Sequence, residues 1–172
     1  MHIDSTFTVG IHTLLVVAFF KDDKITSEKV AISIGCNPVI VRNVFGMLSK
    51  AGLLRPGMGK ARTVLGRPAE EITLLDVFDA TQNDDVDDIF SMYPTNPYCP
   101  VGSEIHGMLS SRFSDAMDAM RNDLSRTTIS DLVAELPEEK RILPEILRDR
   151  TIDDRDLQRY RRIYGYSPNN RP

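Results

Sequence analysis

Arg42 and Asn43 stand side by side in the segment Asn37–Lys50, flanked by Val39, Gly46 and Lys50. A guanidinium and a carboxamide on one face can make bidentate hydrogen bonds to guanine and adenine edges, and a valine can touch a thymine methyl. Gly46 would let a helix carrying them approach a surface closely. That chemistry is recognition rather than catalysis. The three histidines, His2, His12 and His106, form no HExxH or clustered spacing, and the sequence holds no P-loop, GxGxxG or GxSxG. Cys36 and Cys99 lie far apart with no CxxC, which excludes a four-cysteine zinc site and fits a reducing cytoplasm. No enzyme is expected, and the sequence calls for no metal and no cofactor.

For Arg42 and Asn43 to share a face, a helix must carry them. Asn37 is an N-cap residue and Pro38 sits at a first helical position, where proline is tolerated. Val41, Val44, Phe45 and Leu48 then follow the spacing of a buried stripe, on the side away from Val39, Arg42, Asn43, Gly46 and Lys50. Upstream, Thr26 and Ser27 can cap a shorter helix with Val30, Ala31 and Ile34 inward, and Gly35 is the residue expected where it stops. Downstream, Gly52 closes the second helix, and an extended segment with Gly57, Gly59, Lys60 and Arg62 has the make-up of a basic hairpin. This is the layout of a helix-turn-helix with a wing, which lies beside a phosphate strand or a minor groove.

Charge placement strengthens that reading. The chain carries a net charge of −4, yet between Lys24 and Arg67 eight basic residues face Glu28 alone. The local sum is therefore +7, and the remainder carries −11. A basic island in an acidic chain is the footprint of a phosphate-binding face. From Glu70 to Ser91 there are eight acidic residues and no basic ones, which keeps that surface off DNA.

The 172 residues, 41% of them hydrophobic, allow one substantial domain, or a small domain with an appendage. No apolar run approaches the roughly 18 residues of a membrane span, and Met1 is not followed by a basic leader, so no membrane partner is expected. Asp4 or Ser5 can cap a first helix to about Phe20, with Phe7, Ile11, Leu14, Leu15 and Ala18 inward. A helix entering at Ala69-Glu70-Glu71 places Ile72, Leu75 and Phe78 on its apolar side. Met92–Gly102 carries three prolines and reads as a loop around Cys99. From Ser103 a long helix is expected, with Ile105, Leu109, Phe113, Met117, Met120 and Leu124 at steps of three and four. Pairing with the same helix of a second copy is the expected cover for that stripe, with packing inside one chain the alternative, and a twofold dimer matches a palindromic DNA site. Thr127–Leu136 gives one more short amphipathic segment. The expected division is residues 1–83 for the winged helix, 84–136 for the loop and dimerisation helix, and 137–172 for a charged extension without an assigned role.

In several of these segments the chain resembles the Rrf-type (Rrf2) family of bacterial winged-helix transcription regulators. The matching stretches are Ile11–Leu15, Thr26–Ala31, Asn37–Arg42, Lys50–Leu54, Arg67–Val77 and Asn96–Gly102. The resemblance runs from about Ser5 to Leu132. It implies a homodimer that controls transcription, with the helix after Asn37 in the major groove. Many members hold an iron–sulfur cluster on three closely spaced cysteines before the dimer helix; this chain has Cys99 alone there, and one thiolate cannot hold a cluster. The chain looks more like the cluster-free branch, whose members respond through thiols, small molecules or partner proteins.

Cys36 precedes the N-terminus of the second helix of the pair, a position that favours a thiolate. In a twofold dimer Cys99 could face the other subunit's DNA-binding unit. A Cys36–Cys99 disulfide between subunits would then shift the recognition helices, provided the Cα atoms come within roughly 7 Å. The alternative is that both are small buried residues. The expected protein is mainly α with a small β-wing: a cytoplasmic homodimeric repressor binding double-stranded DNA, with its effector unidentified. A protein-interaction module that has lost DNA binding and an iron–sulfur sensor are the rival readings.

Overall fold

The computed structural model describes residues 5–58, 62–82, 90, 92–137 and 155. Its elements run α1 (Ser5–Phe19), α2 (Ser27–Ile34), α3 (Pro38–Lys50), β1 (Leu54–Pro56), β2 (Thr63–Leu65), a 3-10 turn at Ala69–Glu71, α4 (Leu74–Thr81), α5 (Pro100–Leu124) and α6 (Ile129–Ala134). Helix α1 is the central element, touched by α2, α3, β2, α4 and α6. Phe7 and Leu14 are buried as the spacing predicts, with Ile11, Leu15 and Ala18 half-buried against the core. Val9, Thr13, Val16, Val17 and Phe19 are buried too. A helix surrounded on so many sides has no solvent stripe, which is why a single amphipathic face understates its burial.

The helix pair forms as its caps predict. Thr26 Oγ1 accepts from the Lys29 N–H at the start of α2, and Gly35 ends it in a left-handed turn at φ 77°. Asn37 Oδ1 accepts from the Val39 N–H at 2.9 Å, with Pro38 in the first turn of α3. Val41, Val44 and Leu48 are fully buried, and Phe45 packs half-buried against the core. Burial of each such side chain is worth roughly 1.5–3 kcal/mol, so the orientation of α3 is firmly set.

The wing is antiparallel, pairing Leu54 with Leu65, Arg55 with Val64 and Pro56 with Thr63. Gly57 donates its N–H to the Arg62 carbonyl at 2.8 Å, extending the pairing beyond the strands. A feature that the sequence reading passed over seats this hairpin. A Cβ on Gly66 would fall 1.9 Å from the Gly52 carbonyl oxygen, while the Gly66 N–H donates to the Leu53 carbonyl. Only glycine lets the strand end close against the end of α3.

Two boundaries differ from expectation. The helix expected from Ala69 is interrupted: Ala69–Glu71 is a 3-10 turn, Ile72 is extended, and α4 begins after Thr73. Thr73 and Asp76 form a reciprocal capping box there, and Thr128 and Asp131 repeat it before α6. The two starts lie against each other, with Leu74 N–H donating to the Thr127 carbonyl and Ile129 N–H to the Ile72 carbonyl. The long helix starts at Pro100 rather than Ser103, with Cys99 as its N-cap. Proline at the first helical position lacks only an N–H that would have no helical partner.

The apolar stripe of α5 divides along its length. Met117 is buried in the core, with Met120 and Leu124 packed against it, and Arg121 binds Asp79 of α4 at 2.8 Å. Met117, Met120 and Leu124, expected to pair with a second copy, are thus covered within the chain itself. Ile105, Leu109 and Phe113 are half-buried, and Phe113 stacks on Phe90 at 4.2 Å. On the same half, Val101 and Met108 are 68% and 65% exposed. Gly59, Lys60, the acidic run at 84–88 and the extension after Pro137, Arg155 apart, lie outside the described residues.

Candidate nucleic-acid interface

The buried side of α3 leaves Val39, Arg42, Asn43, Gly46 and Lys50 exposed together, as the spacing predicts. Val39 is 53% exposed although apolar, and Ile40 and Met47 share the surface at 43% and 39%. Those last two were not singled out from the sequence. Their seven-residue spacing beside Asn43 was the available signal, obscured because aliphatic residues on a helix read as core. Apolar side chains presented among polar ones suit contact with thymine methyls in a groove.

Next to this face, the start of α2, the outer side of α3 and the wing enclose a depression of about 360 Å³. Thr26, Ser27, Ser49, Arg55 and Arg62 line it. Glu28 lines it too, and its carboxylate takes hydrogen bonds from the Thr26 and Ser27 hydroxyls and from Arg42, so an incoming phosphate would have to displace it. Thr26 and Ser27 thus share this depression with Arg55 and Arg62 of the wing.

The cations are less free than their number implies. Arg42 is bound to Glu28 of α2 at 2.9 Å, both side chains more than half exposed. Hydrogen bonding from Arg42 is the main cause that holds the Glu28 carboxyl at about 2. An exposed pair of this kind contributes well under about 1 kcal/mol, so Arg42 exchanges it readily for another acceptor. Arg62 is half-buried and donates to the Lys21 carbonyl, bracing the wing against the α1–α2 connection. Arg55 donates to the Leu65 carbonyl across the hairpin, and Arg67 binds Asp76 at 2.6 Å. Lys50 stands exposed at the end of α3, and Gly57 lies half-buried under the wing tip. Gly59 and Lys60, expected at that tip, are outside the described residues.

Cys36 departs from its expected character, and Cys99 is the more reactive thiol. Cys36 is only 5% exposed, and burial pushes its thiol up, against the expected lowering by the helix N-terminus. Its S–H points to the Asn37 carbonyl at 3.8 Å. Cys99 is exposed, and the backbone N–H groups of Gly102 and then Val101 hold its thiol below the ordinary value. A thiol capping a helix in water gains the dipole without the desolvation that opposes it at Cys36. Nearby, His106 Nε2 lies 2.7 Å from the Tyr93 carbonyl, and Thr95 Oγ1 donates to the Gly102 carbonyl at 2.6 Å. The loop is thereby tied to the first turns of α5.

A buried helix pair with an outward second helix and an antiparallel wing defines a winged-helix transcription regulator. The family described as "Iron-dependent Transcriptional regulator", Rrf2, matches residues 3–135, and this chain belongs to it. YwnA of Bacillus subtilis (strain 168), whose name puts it forward as an HTH-type transcriptional regulator, is 33% identical over 135 residues, covering 78% of this chain and 98% of YwnA. A Lactobacillus plantarum structure put forward as a transcriptional regulator is 26% identical, with a TM-score of 0.66 over 77% of this chain and 90% of that one. CymR, described as the global cysteine regulator of B. subtilis, has the same fold, with a TM-score of 0.58, 16% identity, and coverage of 80% and 99%.

The family's description speaks of iron. Among the described residues no three His, Cys, Asp or Glu side chains come together as a metal group. Cys99 is the sole thiol of its loop, His106 is engaged with Tyr93, and Cys36 is buried in the helix-turn-helix. That donor set does not fit an iron–sulfur cluster. No single helix among the described residues is long and apolar enough to cross a membrane.

Proposed function

We propose that the chain is a homodimeric repressor that reads a palindromic operator with α3 in the major groove. The observation that carries this is the division of α3: Val41, Val44 and Leu48 fully buried, Val39, Arg42, Asn43 and Lys50 outward. Arg42 and Asn43 read bases and Val39 a thymine methyl, while Lys50, Lys60, Thr26 and Ser27 hold phosphates. Arg62 has five N–H donors, so bracing Lys21 leaves it able to meet a phosphate as well. Self-association is supported by the exposed Val101 and Met108 beside the half-buried Ile105 and Leu109 on α5.

The same reading includes a thiol response, in the cytoplasm where resting thiols stay reduced. Cys99 is the thiol poised to react, and Cys36 of the other subunit the partner that follows once the turn before α3 opens. A peroxide-class oxidant takes up the two electrons and two protons that a disulfide releases. Arg42→Ala tests base reading: titration on operator and scrambled duplexes is expected to show a loss of about 1–3 kcal/mol on the operator alone. An equal loss on both duplexes would assign Arg42 to the phosphates. Absence of any salt-dependent affinity for duplex would favour the protein-interaction reading instead.

A further inference from the structure

The sequence reading left His12 without a role. In the structure its Nε2 lies 2.9 Å from Ser33 Oγ, joining the middle of α1 to the last turn of α2. A cavity of about 350 Å³ opens beside this pair, at the small end of the roughly 300–1,000 Å³ of small-molecule sites. Leu15, Phe19, Phe20 and Leu136 line the remainder, and Phe19 and Phe20 meet edge to face at 5.0 Å. The described lining carries no Asp, Glu, Lys or Arg. Apolar walls with one convergent polar pair are the make-up of a ligand site rather than of a solvated surface.

We propose that this cavity binds a small neutral aromatic molecule with one hydroxyl or carbonyl group, held at the polar end by the His12–Ser33 pair. The aromatic ring lies against Phe19 and Phe20, where offset or edge contacts are available. A charged ligand is excluded because nothing in the described lining compensates its desolvation. His12 itself is disfavoured as a cation, since burial lowers its basicity from the ordinary value of 6.5. Neutral imidazole and hydroxyl can each donate or accept, so the pair takes either ligand group. Ser33 stands two residues before Gly35, the turn that aims α3. A ligand here is thus placed to bias the recognition helix, a consequence that rests on the DNA-binding reading.

The test uses the full chain and naphthol as probe, followed by NMR of methyl and aromatic groups without DNA. Saturable shifts are expected at Leu15, Val16, Leu136 and the His12 ring, with no comparable binding of naphthalenesulfonate. Ser33→Leu, which fills the cavity and removes its hydroxyl, is expected to weaken naphthol binding at least tenfold. Leu15→Phe serves as a second filling variant should the first not fold. No saturation, equal binding of the sulfonate, shifts gathered on Val101 and Met108, or unchanged affinity in a folded filled variant would each overturn the proposal. Since no DNA is present, failure here leaves the operator reading standing.

Discussion

Cys99 and Cys36 show how far a residue's chemistry depends on the solvent around it. Both sit at helix N-termini, but Cys99 is exposed and Cys36 is covered by the core. The thiolate fraction and the access needed for attack therefore coincide at Cys99. Brief treatment with iodoacetamide at neutral pH should alkylate Cys99 well before Cys36, as read by peptide mass spectrometry. Equal rates at both sites would mean that the turn before α3 opens freely, and the ordering proposed for the disulfide would be lost. The sequence showed that both cysteines precede helices. It could not show the desolvation that raises one of them, because burial comes from distant elements. Arg42 followed a similar course: its place on the outer face was legible from spacing, its exchangeable partner Glu28 was not, though Glu28 is the lone acid of the basic island.

At the scale of elements, the caps and periodic stripes that define α2 and α3 are local, and they could be read directly. Asn37-Pro38, Gly35 and the spacing of Val41, Val44 and Leu48 each depend on a few neighbouring residues. The wing's attachment is not local, since Gly66 is required by the carbonyl of Gly52, fourteen positions earlier. Gly66→Ala should shift the wing away from α3 and destabilise the fold by about 1–3 kcal/mol, measured by urea denaturation. An unchanged midpoint would show that the hairpin is not seated by this contact. The paired Thr73–Asp76 and Thr128–Asp131 boxes had a sequence signature, Thr-x-x-Asp, but the apolar run through Ile72 and Leu75 masked the break between turn and helix. The start of α5 at Pro100 was missed for a related reason: prolines count against a helix except at its first turn.

Over the whole molecule, charge and apolar surface are segregated. Between Lys24 and Arg67 eight basic residues face one acid, while the following segment is acidic, the charge pattern of a face suited to phosphates. The long helix extends from the core through Met117, and its N-terminal half carries the apolar surface that a second copy would cover. Its stripe was legible as periodicity, but periodicity cannot apportion a helix between its own chain and a partner. Leu109→Glu should convert a dimer to a monomer in sedimentation equilibrium while leaving the helix content unchanged. A dimer that persists in this variant would place the twofold contact elsewhere. In the proposed reading dimerisation and operator recognition are linked, because two half-sites read together bind far more tightly than one.

The central claim, that the outward face of α3 reads DNA, is tested most directly by fluorescence anisotropy on the duplex upstream of the protein's own gene and on its scrambled counterpart across a range of salt. The account predicts binding about a thousandfold tighter to the upstream duplex, with affinity for both falling steeply as salt rises. Equal affinity for the two duplexes, or an affinity insensitive to salt, would contradict it.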